Sequence, residues 1–203
     1  MIKELVVATH NLKKATEMEA ILREKLPNIR VLSLGDFPGA PEPEEDGQNY
    51  AENAVIKATS AVQHCGLPCV ADDAGLEIDA MPGELGIFSK RFLGEETPFD
   101  QKIAAILDRM KGLDESQRGA HFSCFVALAL PNGGGEHVFS GICRGTIHDR
   151  AIGAGGFGYD PIFWHPELGC TMAELTFSQK HEISHRGIVL RKLAVFLERF
   201  SGN

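Results

Sequence analysis

The stretch LVVATHNLKKATEMEAIL, residues 5–22, decides the fold class of this chain of 203 residues. It begins with an apolar run at residues 5–8 that is typical of a short buried strand. A polar turn from Thr9 to Asn11 follows, and apolar residues then recur at helical spacing until Pro27, at Ala15, Met18, Leu22 and Leu26. A buried strand that runs directly into a helix is the first unit of an α/β fold.

The same alternation continues along the chain. Residues 29–32 are predicted to form a second strand, residues 54–65 a helix that ends at Gly66, and residues 67–71 a strand that ends at Asp72-Asp73. Farther on, a helix ends at Gly112, and strands at 122–130 and 137–147 are joined by the turn sequence PNGGG. Strand–helix alternation followed by a hairpin predicts an α/β fold with a mixed sheet.

Composition limits the class of protein. A net charge of -8 argues against a general nucleic-acid scaffold, and no apolar run is long enough to span a membrane. The first strand begins close to Met1 without a signal-like pattern, so we expect a cytoplasmic protein. Five scattered cysteines suit a reducing compartment. His64, Cys65 and Cys69 resemble half of a zinc site, but no second ligand pair follows at suitable spacing.

The turn after the first strand is a candidate phosphate site. It contains Thr9, His10, Asn11, Leu12, Lys13 and Lys14. The free N–H groups at a helix N-terminus attract phosphate, and Lys14 adds a full positive charge. The alternative is structural, with Thr9 or Asn11 capping the helix and the lysines in solvent.

Two acidic pairs are candidate metal ligands. Glu44-Glu45 lies in a loop rich in proline and glycine at residues 35–48, and Asp72-Asp73 follows an apolar strand. Adjacent carboxylates cannot both be buried without a cation or a pKa shift, and hard oxygen ligands suit Mg²⁺. One carboxylate could also accept a proton from an attacking water. The alternative for Asp72-Asp73 is a polar turn.

Two later segments carry groups suited to a nucleobase. Phe157-Gly158-Tyr159-Asp160 offers an aromatic face and a carboxylate, although a glycine-rich hairpin with a buried Phe157 is an alternative. Lys180, His185 and Arg186 are predicted at the start of the last helix, where cations oppose the helix dipole. Together with the two groups above, they predict a nucleoside triphosphate site with Mg²⁺.

The chain resembles the inosine triphosphate pyrophosphatase family over nearly its whole length. No single motif carries this resemblance; the order and spacing of the series do. The matching segments are VVATHN (6–11), ENAVIKA (52–58), ADDAGL (71–76), PG (82–83), SKRF (89–92), GGFGYDP (155–161), AEL (173–175) and SHRG (184–187).

The resemblance implies Mg²⁺-dependent hydrolysis of non-standard purine nucleoside triphosphates (dITP, ITP and XTP) to the monophosphate and pyrophosphate, which would cleanse the nucleotide pool. It implies one domain over residues 1–203, with an elongated mixed β-sheet flanked by helices, two lobes around a nucleotide-binding cleft, and assembly as a homodimer. Neither nucleic acid nor a membrane is an expected partner.

The resemblance also implies roles for individual residues. Thr9 to Lys14 and Lys57 would hold the phosphates, and Glu45 and Asp73 would bind the metal, with Asp73 also the catalytic proton acceptor. Phe157 would stack on the purine, with Gly158, Tyr159 and Asp160 beside it. Asp160, His185 and Arg186 would lie near the edge of the purine, and Lys180 would also line the nucleotide site. A guanidinium has only donors, so Arg186 suits a 6-oxo group and is mismatched to the 6-amino group of adenine.

Three positions depart from the family pattern. Ala74, also a predicted substrate contact, stands where Ser or Thr is common. His10 replaces a common Gly, and Asn49-Tyr50 replaces a common Thr-Phe pair. The sequence does not decide whether Glu44 or Glu45 is the metal ligand. It also leaves open how Asp72 and Asp73 divide their roles. Alternative functions are a pyrophosphatase of similar fold for other modified nucleotides, or a nucleotide-binding sensor without hydrolysis.

Overall fold

The protein is described by a computed structural model that covers residues 2–200. Its strands are β1 (Glu4–Val7), β2 (Arg30–Ser33), β3 (Cys69–Ile78), β4 (Gly119–Ala129), β5 (Glu136–Ile147), β6 (Phe163–His165) and β7 (Cys170–Thr171). Its α-helices are α1 (Leu12–Lys25), α2 (Tyr50–Cys65), α3 (Phe99–Arg109), α4 (Phe177–Ile183) and α5 (His185–Phe200).

The strands form one mixed sheet in the order β2-β1-β3-β4-β5-β6-β7. β1 pairs in parallel with both β2 and β3, whereas β6 pairs antiparallel with β5 and β7. The predicted α/β class with a mixed sheet is therefore confirmed. Within residues 2–200, no helix is both long enough and apolar enough to cross a bilayer.

Local chemistry explains where α1 begins and where α2 begins and ends. The side chain of Asn11 accepts hydrogen bonds from the N–H groups of Lys13 and Lys14, which caps α1. Asn49 caps α2 by accepting from the N–H of Glu52 at 3.0 Å. α2 ends at Gly66, whose φ of 72° is in the left-handed region that glycine tolerates best.

Two predictions about elements are wrong. Asp72 and Asp73 do not end a strand, because β3 continues through them to Ile78. The two carboxylates have cationic partners in the folded protein, so the chain stays extended where the sequence alone suggested a break. Lys180 does not start the last helix but lies in the last turn of α4, where the helix dipole favours a cation. His185 and Arg186 do begin α5, as predicted.

The chain divides into two compact units. The first contains the residues up to Asp73, Cys124–Gly141 and those from Arg186 onward, and the second contains Ala74–Ser123 and Ile142–His185. One core cluster of the first contains many small side chains, including Ala54, Ala58, Ala61, Ala71 and Ala127. Larger ones fill the core of the second, including Phe92, Met110, Phe122, Tyr159 and Phe163. The arrangement of two lobes around a cleft stays a prediction.

Candidate active site

The turn between β1 and α1 is closed by its own side chains. Thr9 Oγ1 accepts a hydrogen bond from the N–H of Asn11 at 3.2 Å, and Asn11 Oδ1 accepts from the N–H groups of Lys13 and Lys14, each at 3.1 Å. The structural alternative for Asn11, a helix cap, is therefore confirmed. The first turn of α1 contains no acidic residue and two lysines, and Leu12 is largely exposed. This end of α1 is positively charged and accessible to solvent.

Asp72 lies in a buried charge cluster of the first unit. Its Oδ2 accepts from Arg186 Nη2 at 2.8 Å and from Arg186 Nε at 3.1 Å, and its Oδ1 is 3.4 Å from Lys14 Nζ. The remaining end of the guanidinium binds Glu17, with Nη1 and Oε2 2.6 Å apart. Asp72, Glu17 and Arg186 are all nearly inaccessible to solvent. The guanidinium of Arg186 is thus held by two carboxylates.

Asp73 lies in a different cluster of the same unit, although it is the next residue in β3. Its Oδ1 is 3.1 Å from Lys57 Nζ, and its Oδ2 accepts from Asn53 Nδ2 at 3.2 Å. Lys57 Nζ also contacts Glu45 Oε1 at 3.2 Å. Glu45 rather than Glu44 is therefore the residue whose carboxylate shares a cation with Asp73. Asn53 is fixed in turn by accepting from the N–H of Gly47 at 2.9 Å.

The two neighbouring aspartates have opposite pKa shifts. Burial alone would raise the pKa of Asp72, but Lys14 and Arg186 hold it well below its usual range. Burial raises the pKa of Asp73, and Lys57 opposes this rise while Glu45 adds to it. The pKa of Lys57 is itself raised: burial disfavours its charge, but Asp73, Asp72 and Glu45 outweigh that effect. Asp72 is therefore a fixed anion, and Asp73 is the better base.

The donor set around Asp73 fits a hard divalent cation. Two carboxylates, from Glu45 and Asp73, already converge on one cationic atom, Lys57 Nζ. Across the described part of the chain, no group of three or more His, Cys, Asp or Glu side chains is arranged to hold a metal. A set of two carboxylates suits Mg²⁺, which retains waters and binds substrate phosphates in place of a full protein cage. It would not suit zinc.

Phe157, Asp160 and Lys180 form a compact cluster in the second unit. Lys180 Nζ binds Asp160 Oδ2 at 2.7 Å and lies 4.6 Å from the centre of the Phe157 ring. Asp160 Oδ2 also accepts from the N–H of Phe157 at 2.8 Å. Gly156 has a φ of 68°, and a Cβ there would come within 2.0 Å of Asp160 Oδ2. Asp160 thus fixes both the backbone of the aromatic residue and the ammonium beside its ring.

The other residues of this unit that were predicted to contact the base pack against neighbouring side chains or backbone of the same unit. Tyr159 is buried, donates from its hydroxyl to the Ser89 carbonyl at 2.7 Å, and meets Phe99 edge to face. His185 is also buried and stacks on Phe122, with ring centres 4.7 Å apart. Gly158 has a φ of 65° and lies next to the Phe99 ring. Their predicted contacts with substrate, and that of Ala74, stay predictions.

Comparison with known proteins identifies the family. A model described as the Ham1 family matches residues 5–196. The chain belongs to the Ham1 family. A protein of Geobacter sulfurreducens named dITP/XTP pyrophosphatase is 46% identical over 189 residues, covering 93% of this chain and 94% of the relative. One of the same name from Desulforamulus reducens is 43% identical over 196 residues, covering 97% and 96%. The resemblance inferred from the sequence is confirmed.

Solved structures agree with this assignment. The Ham1-family chain superimposes on a HAM1 protein from Coxiella burnetii with a TM-score of 0.86 and 38% identity, covering 98% of this chain and 100% of the other. It is also similar to the Ham1 protein of Staphylococcus aureus, with a TM-score of 0.84, 36% identity, and coverage of 97% and 98%.

The structure accounts for two departures from the family pattern. Over residues 2–200, the non-glycine residues with positive φ are Leu93 and Asn132, so His10 has an ordinary backbone conformation in the place of a common Gly. Asn49 is the cap of α2, a position that Asn fills as well as Thr does, and Tyr50 stacks on Phe125.

Sequence reasoning missed Glu17 and Asn53. Each is a buried polar residue on the apolar face of a helix, Glu17 in α1 and Asn53 in α2. That placement is a usable signal, because a buried polar group requires a partner.

Proposed function

We propose that this Ham1-family chain hydrolyses dITP, ITP and XTP to the nucleoside monophosphate and pyrophosphate. The observation that carries the proposal is the convergence of Glu45 and Asp73 on the single ammonium of Lys57. Such a group of two carboxylates and one lysine has the charge and the donors needed for a triphosphate with its divalent cation. The names of the relatives from Geobacter sulfurreducens and Desulforamulus reducens support the same substrate class.

Mg²⁺ is the cation that the donor set suits, and Glu45 and Asp73 would hold it. When bound, it would neutralise charge on the triphosphate oxygens. Lys57 would then turn toward the phosphates, since its ammonium and the cation compete for the same carboxylates. The first turn of α1 would add Lys13 and Lys14, because an anion there would relieve the repulsion between two lysines and the positive end of the helix.

Asp73 would accept the proton of the attacking water. Its raised pKa makes it a stronger base than an ordinary carboxylate, and Asn53 fixes the orientation of one of its oxygens. The water would attack the α-phosphorus and break its bond to the bridging oxygen of the β-phosphate. Lys57 would stabilise the charge that develops on the leaving pyrophosphate.

Phe157 would stack on the purine, and Lys180 would donate to its edge. An ammonium has only donors, so it favours a 6-oxo purine over the 6-amino group of adenine. Asp160 would hold Lys180 in position. The predicted contact of Arg186 with the base edge has less support, because its guanidinium is buried against Asp72 and Glu17.

Pyrophosphate release from dITP, XTP, dGTP, dATP and dUTP, with Mg²⁺ and with EDTA, tests the proposal. We expect release from dITP and XTP that EDTA abolishes and that Mg²⁺ restores. Release mainly from another nucleotide would favour a related pyrophosphatase of different base preference. Tight nucleotide binding without release would favour a sensor.

Two further expectations belong to this proposal. A substrate drawn from the nucleotide pool implies a cytoplasmic protein, without nucleic acid or membrane as partner. Assembly as a homodimer is the expected state, and light scattering on the purified chain tests it, since a monomeric mass at micromolar concentration would contradict it.

A further inference from the structure

Two thiols face each other where α2 meets β3. Cys65 is the last residue of α2, and Cys69 is the first residue of β3. Their Sγ atoms are 3.3 Å apart, and neither belongs to a disulfide. The left-handed conformation of Gly66 turns the chain sharply after Cys65, and both thiols lie within donating distance of the Leu67 carbonyl. The two sulfurs are thus brought together by a turn inside the first unit.

The two thiols differ in access to solvent. Cys65 is partly exposed, whereas Cys69 is fully buried beside β1. Burial raises the pKa of the Cys69 thiol, and the neighbouring Cys65 adds to this rise. An oxidant in solution can therefore reach Cys65 first. Cys69 is buried and stays protonated, as a thiol that can react with the oxidised Cys65.

We propose that Cys65 and Cys69 form an oxidation site that closes to an intramolecular disulfide when hydrogen peroxide reaches Cys65. In the first step, the Cys65 sulfur attacks one oxygen of the peroxide, the O–O bond breaks, and the products are a sulfenic acid and one water. In the second, the Cys69 sulfur attacks the Cys65 sulfur and displaces the hydroxyl, which leaves as water with the Cys69 proton. Two thiols are oxidised, and one peroxide is reduced to two waters.

The two sulfur atoms need to move only a short distance to form a bond. A disulfide bond joins sulfurs at about 2.05 Å, so the two Sγ atoms would approach by roughly 1 Å. Closure protects Cys65, because a sulfenic acid that finds a thiol stops short of the irreversible sulfinic and sulfonic acids. The disulfide would also link the end of α2 to the start of β3. Lys57 lies earlier in α2, and Asp73 lies later in β3. The site depends only on the thiol positions and not on the proposed substrate.

Mass spectrometry of the full chain after hydrogen peroxide treatment tests this inference. Trypsin cleavage after Lys57 and Lys90 releases residues 58–90, which contain Cys65 and Cys69 and no other cysteine. We expect this peptide to lose two hydrogen atoms and to regain them after treatment with dithiothreitol. Cys65→Ser should abolish the reversible change, and Cys170→Ser, which alters another partly exposed thiol, should leave it intact.

The Cys69→Ala variant sharpens the test. Without its partner thiol, Cys65 should accumulate at least about tenfold more sulfinic and sulfonic acid than in the native protein. Circular dichroism before treatment establishes that this variant is folded, and Cys65→Ser provides an independent variant. Irreversible acids at Cys65 in the native chain, disulfide-linked dimers on a non-reducing gel, or an unmodified peptide under peroxide that oxidises Cys170 would each overturn the proposal.

Discussion

Each unit of the molecule contains a lysine bound to an aspartate, but the third partner differs. In the first unit, Lys57 is shared between Asp73 and a second carboxylate, Glu45. In the second, Lys180 is shared between Asp160 and the ring of Phe157. In the first cluster, two carboxylates share one ammonium, and this excess of negative charge favours binding of a divalent cation. In the second, one carboxylate pairs with one ammonium beside a flat aromatic ring, an arrangement that suits an uncharged base.

A similar contrast separates Asp72 from Asp73. Successive side chains of a strand point to opposite faces of the sheet. Asp72 consequently meets Arg186 of α5 and Lys14 of α1, whereas Asp73 meets Asn53 and Lys57 of α2. One residue step therefore separates a carboxylate whose pKa is lowered by its counter-charges from one whose pKa is raised by burial.

The largest expected effect is at Asp73. Asp73→Asn removes the proton acceptor and one metal ligand while keeping the shape of the side chain. We expect kcat for dITP to fall by about 10²- to 10⁴-fold, the range typical of general bases, and the melting temperature to change little. Steady-state pyrophosphate release measures the loss.

Asp108→Asn is the matched control. Asp108 is exposed and forms a surface ion pair with Lys111, so its replacement should leave kcat unchanged. Near-native turnover of a folded Asp73→Asn variant would remove Asp73 from the catalytic role.

Arg186→Ala should act mainly on stability. It leaves Asp72 and Glu17 buried without their shared cation, and loss of one partner from a buried charge cluster costs about 3–5 kcal/mol of unfolding free energy. Urea denaturation measures this cost. The control is Arg199→Ala, an exposed residue in the last turn of α5, which should lie within about 0.5 kcal/mol of the native protein.

The same variant tests the base-edge role of Arg186. If that role is real, the activity ratio of dITP to dATP should fall. An unchanged ratio together with lower stability would assign Arg186 to the charge cluster alone.

Phe157→Ala should have a smaller effect, confined to substrate affinity. Loss of base stacking costs about 1–3 kcal/mol, which corresponds to a rise in KM for dITP of roughly 5- to 150-fold. The control is Phe88→Ala, which removes an exposed ring of the second unit that also lies near a cation, Arg91. Equal KM values for the two variants would contradict the stacking role.

The sequence was sufficient for the fold class and for the loop that precedes α1. Strand and helix periods there are local, so residues 5–26 predicted β1 and α1 without distant information. The extent of β3 could not be predicted, because the partner that neutralises Asp72 is Arg186, 114 residues later in the chain. Adjacent carboxylates suggested a break only because their counter-charges were unknown.

Site residues could be predicted from the sequence where several polar or aromatic side chains lie close together in one short segment. Phe157 and Asp160 lie three residues apart and meet in the structure. Lys180 was assigned to the wrong helix because the capping box formed by Thr176 and Gln179 starts a separate short helix, α4, before α5. Glu17 and Asn53 were missed because polar residues of a helix usually face solvent, whereas these two lie on the apolar faces of α1 and α2.

The smallest expected effect is a difference in how stability depends on pH in the metal-free protein. The folded pKa of Asp72 is depressed, so its contribution is complete above its unfolded pKa of about 3.9 and is lost as the pH falls through the lower folded value. The folded pKa of Asp73 is raised, so its contribution is complete below about 3.9 and is lost as the pH rises through the higher folded value. Urea denaturation between pH 3 and 7 should therefore show that the native protein loses stability relative to Asp72→Asn on acidification and gains it relative to Asp73→Asn. If the difference in unfolding free energy from the native protein varied with pH in the same way for both variants, the pKa values of Asp72 and Asp73 would not be shifted in opposite directions.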